Sequence, residues 1–92
     1  MFLTVEQLEQ TEQLASLLLA PGEIAIVLAV DTDEFLDDLL YESSDTYKAY
    51  QRGKLRTKAE LHKTILTQAK QGSGPAQTMA ARILLDLESR EL

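Results

Sequence analysis

The apolar residues come in bursts at helical spacing, separated by acids and a few turn signals. Val5, Leu8, Ala15, Leu18 and Leu19 recur near the 3.6-residue period, behind Thr4 and Gln7, which stand at capping-box spacing. This predicts a first helix over about 5–19. Pro21 suits the opening turn of a second helix and Glu23 its positive end, so Ile24, Ile26, Val27 and Leu28 are read as a short apolar helix over 21–28. Taken alone, Ile24–Val30 also reads as a buried strand, but no second strand-like run exists to pair with it. Asp31 and Glu34 form another capping pair, which opens a third helix with Phe35, Leu36, Leu39 and Leu40 inward and Asp33, Asp37 and Asp38 toward water.

Ser43, Ser44 and Asp45 supply a break and a new cap, and no proline follows until Pro75. A fourth helix reaching Gln71 is therefore expected, with Gly53 as its weak point and Thr57 with Glu60 able to restart it. Gly72-Ser73-Gly74-Pro75 is a stop followed by a start. Ala76, Met79, Ala80, Ile83, Leu84 and Leu87 then hold the helical period, which makes the last two helices an antiparallel hairpin. The expected fold is all-α, with helix-turn-helix-like N-terminal helices followed by a long helix and the hairpin. Residues 1–44 form the three-helix region and residues 45–92 the hairpin, together one compact unit.

Charge changes this picture. Of the 15 acids and 9 Lys and Arg residues, 11 acids and no base fall in residues 1–47, while residues 48–92 hold all the bases against four acids. The net charge of −6 is thus divided into −11 and +5. Zero cysteines exclude disulfides, thiolate zinc sites and a thiol nucleophile, and point to a reduced, cytoplasmic setting. The start Met1-Phe2-Leu3 leads into acids rather than a signal peptide, and the run Ile24–Val30 is far short of the roughly 20 residues that span a bilayer. No membrane association is expected.

Residues 21–41 have the length of a helix-turn-helix with residues 31–40 in the recognition position. Their chemistry opposes the usual docking, because Asp31, Asp33, Glu34, Asp37 and Asp38 would face phosphates. The bases are better placed. At about 100° per residue, Arg52, Arg56, Lys63 and Lys70 all fall within about 80° of Lys48, one positive stripe along the fourth helix. These five are the candidate DNA-binding residues. Tyr47, Tyr50, Leu61 and Ile65 are candidate oligomer-interface positions, with tyrosine rings suited to packing or stacking. His62 falls among apolar positions as a packing residue. Asp31, Asp33 and Asp37 lack the glycine and terminal glutamate of a calcium loop, and there is no phosphate-binding glycine loop and no zinc cluster. No catalytic residue, metal or cofactor is expected, and the chain is read as a non-enzyme.

Pro-Gly-Glu-Ile-Ala-Ile-Val-Leu-Ala-Val at 21–30, Phe35, Tyr47-Lys-Ala-Tyr-Gln-Arg-Gly-Lys-Leu at 47–55 and Ala69-Lys-Gln-Gly-Ser-Gly-Pro-Ala at 69–76 stand in a familiar order. Over about residues 20–90 the chain resembles the small-subunit terminases of tailed bacteriophages and related phage helix-turn-helix proteins. The resemblance implies DNA binding at residues 21–41, a hairpin at 45–90 that assembles subunits into a ring, and a large motor subunit as partner. Two residue patterns depart from the family: Ala29 stands where glycine is common, and the helix-turn-helix has no base. The expectation is a DNA-packaging accessory protein that binds double-stranded DNA and self-assembles, with the basic stripe lining a ring or groove. The alternative is a self-assembling interaction module without DNA binding, in which the acidic half of one copy docks on the basic half of the next.

Overall fold

The computed structural model describes residues 1–91 as five helices, α1 (Val5–Ser16), α2 (Pro21–Leu28), α3 (Thr32–Asp38), α4 (Asp45–Lys70) and α5 (Gly74–Glu91), with no strand among the described residues. The all-α expectation holds. The chain divides into two compact units after Thr57, inside α4, and not at residue 44.

In the first unit, α1 opens on the expected capping box: the Gln7 amide donates to Thr4 Oγ1 at 3.1 Å and the Thr4 amide to Gln7 Oε1 at 2.9 Å. The helix stops at Ser16, short of residue 19. Leu18 takes a left-handed conformation, φ 63°, and its amide donates to the Ala15 carbonyl at 2.9 Å. That reversal leaves Leu17 and Leu18 exposed and returns Leu19 to the core. At α2, the Glu23 carboxylate accepts from the Ala20 amide at 2.8 Å, satisfying a group that the helix start leaves unpaired.

The turn into α3 is made by Ala29 at φ 58°, with its amide on the Ile26 carbonyl and the Val30 amide on the Ala25 carbonyl, both at 3.1 Å. This is the glycine-type helix ending carried by a residue with a Cβ. Because a side chain is disfavoured in that region, Ala29→Gly is expected to stabilise the fold by roughly 0.5–1 kcal/mol. The check is the urea midpoint, which should rise at unchanged slope; a lower midpoint contradicts it.

Asp31 Oδ1 then accepts from the Glu34 amide at 2.9 Å, and Phe35 is fully buried. Leu36 and Leu40, expected to face inward, are exposed. A helix this short lays one edge on its neighbour, and Leu36, one position from Phe35, is turned about 100° from it and Leu40, five positions on, about 140°. The core is Ala15, Ile24, Ala25, Leu28 and Phe35, with Leu14, Leu19, Leu39 and Tyr50 packed against it.

Ser44 joins α3 to α4, donating to the Asp38 carbonyl at 2.8 Å and accepting from the Tyr47 amide at 3.0 Å. From there α4 runs unbroken through Gly53 for 26 residues. Gly53 is buried where α1 crosses: a Cβ at this position would overlap the Glu12 carbonyl oxygen and lie 2.9 Å from its carbon. One turn on, the Thr57 hydroxyl donates to the Ser16 carbonyl, a free group at the end of α1. Gly53 and Thr57, read from sequence as a weak point and a restart, are both contacts to α1. They are also why the first unit extends into α4.

The second unit, from Lys58 on, holds the end of α4 and α5, a shorter hairpin than the residues 45–92 expected. Gly72, at φ 98°, closes α4 with its amide on the Ala69 carbonyl and the Ser73 amide on the Gln68 carbonyl, each at 3.1 Å. Ser73 Oγ accepts from the Ala76 amide at 3.4 Å, and Gln77 Nε2 reaches the Ala69 carbonyl at 3.1 Å. His62, Ile65 and Ala69 of α4, and Ala80 and Ile83 of α5, are half-buried, while Ala76 is the only buried position among the described residues of this unit.

Candidate functional site

The candidate bases all lie on α4, Lys48, Arg52 and Arg56 in the first unit and Lys63 and Lys70 in the second, and all five are exposed. Their surroundings differ. In the first unit a groove of about 350 Å³ between α1 and α4 is lined by Glu9, Glu12 and Asp45 as well as Lys48, Arg52 and Arg56. Acids and bases are equal in number there, so the N-terminal half of the stripe is neutralised. Lys63 and Lys70 stand farther along α4, in the second unit.

Glu12 makes the neutralisation specific. Its Oε1 accepts from Arg52 Nη1 at 3.0 Å and its Oε2 from Arg56 Nη2 at 2.9 Å. The arginines are one turn apart on α4, and each takes one oxygen of a carboxylate that is 22% exposed. Charge-assisted bonds of this kind exceed neutral ones, although exposed partners screen them. Hydrogen bonds from Arg52 and then Arg56 hold the Glu12 carboxyl below its usual range. A depressed carboxylate pKa contributes stability above the unfolded value, about 4.5, and that contribution disappears as pH falls through the folded value. Glu12→Gln should therefore lower the urea midpoint at pH 7 and bring it toward wild type near pH 3. An equal deficit at both pH values contradicts the ion pairing.

The candidate interface residues separate. Leu61 is half exposed on the hairpin and Ile65 lies half-buried in its seam. Tyr47 is half-buried in the first unit, and Tyr50 packs against its core with Lys54 Nζ 5.1 Å from the ring centre. Leu66, Met79, Leu84, Leu85 and Leu87, none of them among the candidate interface positions, are all exposed in the second unit. Their helical spacing was visible, but not which arc the hairpin partner leaves open. The Glu12 clasp joins positions 40 and 44 residues apart and left no local signal. On α3, Asp33, Glu34 and Asp37 are exposed, and no Lys or Arg among the described residues pairs with them.

No known family matches this chain, and no curated protein or solved structure is similar to it. The fold and these surfaces define an all-helical chain with a partly neutralised basic helix and an apolar hairpin. No helix among the described residues is long and apolar enough to cross a membrane.

Proposed function

We propose that this chain is a non-enzymatic, self-assembling accessory protein of the DNA-packaging kind that its resemblance to phage small terminase subunits implies, acting in the host cytoplasm beside a large motor subunit. The observation that carries assembly is the second unit's lack of a core. Leu61, Leu66, Met79, Leu84, Leu85 and Leu87 are 40–66% exposed there, and no large side chain among its described residues is buried. Burying one leucine contributes about 1.5–3 kcal/mol, and a bare two-helix hairpin of this size has no other comparable source of stability. Association with other copies supplies the missing cover. Double-stranded DNA would then meet the candidate bases of the second unit, Lys63 and Lys70, which lie outside the acid-lined groove.

Light scattering should give a mass above that of one chain, and Leu66→Glu with Leu84→Glu should return it to the monomer. A wild-type monomer at high concentration sinks the assembly reading. In gel shifts at two salt concentrations, duplex DNA should bind more weakly at the higher salt, since phosphate contacts release counterions. Replacing Lys63 and Lys70 by Glu should abolish the shift. The Glu12 clasp favours a second reading, assembly without DNA, and an oligomer that shifts no DNA even at low salt would establish it.

A further inference from the structure

The exposed side of α3 carries apolar and acidic side chains in one row. Asp33, Leu36, Asp37 and Leu40 stand at i, i+3, i+4 and i+7, the spacing of a single helix face. The turn persists past Asp38, since the Leu40 amide donates to the Asp37 carbonyl at 3.0 Å and the Tyr41 amide to the Asp38 carbonyl at 3.3 Å. Leu36, Leu40 and Tyr41 are 41%, 76% and 59% exposed, although Phe35 already supplies the contact of α3 with the core. This apolar side is therefore not needed to hold α3 in place, and nothing in its own unit covers it.

Charge decides what would cover it. Residues 1–47 contain no base, and of the four in the first unit Arg52 and Arg56 are held by Glu12 while Lys54 lies over Tyr50. Asp33 and Asp37 have no Lys or Arg partner among the described residues. A polyanion is repelled by this face, whereas Lys or Arg side chains interleaved with apolar ones match both of its components.

We propose that α3 docks a basic amphipathic segment of a partner protein, with cations on Asp33 and Asp37 and apolar side chains over Leu36 and Leu40. The segment that the sequence resemblance would assign to a DNA groove is, on this proposal, a protein contact. This inference stands apart from the assembly reading, because it concerns the first unit and its test does not require an oligomer.

The test uses the full chain and a fluorescent amphipathic peptide of leucine and lysine at helical spacing, followed by anisotropy. Asp33→Asn with Asp37→Asn, and separately Leu36→Ser with Leu40→Ser, should each weaken binding about tenfold or more, a change set at the contact and not by net charge. Glu6→Gln with Glu9→Gln removes the same two charges from α1 and should change binding less than about twofold, with circular dichroism showing all three variants folded. Equal weakening by the α1 and α3 charge variants would overturn the proposal in favour of nonspecific attraction. Loss of oligomer mass in the α3 variants without peptide would overturn it in favour of a second copy on this face.

Discussion

Gly53→Ala is expected to destabilise the first unit by about 3 kcal/mol, against the direction that helix propensity gives. In an exposed helix interior the same change stabilises by about 1 kcal/mol, because alanine loses less backbone freedom on folding. At Gly53 the new methyl overlaps the Glu12 carbonyl oxygen and approaches Ala15 Cβ at 3.0 Å. The obstacle is helix backbone, which cannot swing aside as a side-chain tip would, so overpacking should reach the upper part of its usual 1–3 kcal/mol range, about 3 kcal/mol. Separating α1 from α4 would also loosen the Thr57 bond to Ser16 and the Glu12 clasp, both set by the same crossing. Urea unfolding followed by circular dichroism decides the sign. Gly22→Ala, where nothing lies within 4 Å of the added carbon, is the control and should be neutral or stabilising. A Gly53→Ala protein as stable as wild type would mean that α1 does not cross there.

Phe35→Ala should cost about 3–5 kcal/mol, the range for emptying an aromatic site in a packed core. Phe35 is fully buried against Ile24, Ala25 and Leu28, and it is the only fully buried residue of α3. Small domains are stable by only about 5–15 kcal/mol in all, so this loss takes a large share. The variant should keep much of its helical circular dichroism, bind a hydrophobic dye and unfold with a broadened transition. Phe35→Leu, which keeps most of the volume, should recover more than half of the loss. If Phe35→Ala instead unfolds at the wild-type midpoint, α3 is not anchored where the core places it.

The two sites differ in how far they could be read in advance. Phe35 announces itself as the aromatic of a short capped helix, and its burial agrees with the expectation. Gly53 was read as a flaw in a helix, because a glycine's role as a crossing point depends on a second backbone 38 or more residues away in sequence. Arg52 and Arg56 were read as free cations for the same reason: their partner sits on α1. Leu36 and Leu40 were assigned inward by period alone, and the period cannot say how wide a stripe a neighbouring helix will cover.

Sequence alone determined what is local in origin. The capping pairs at Thr4 and Asp31, Pro21 and the Gly72 ending set four of the helix boundaries, and the apolar period set the helical class, because these act through backbone bonds within one or two turns. The division of charge between the halves was equally a property of composition. Only the tertiary structure decided that α4 serves the first unit as far as Thr57, that Glu12 quenches two of the stripe's five bases, and that the hairpin and α3 keep exposed leucines. Each of these depends on which faces meet, and such meetings are fixed by packing between segments distant in the chain.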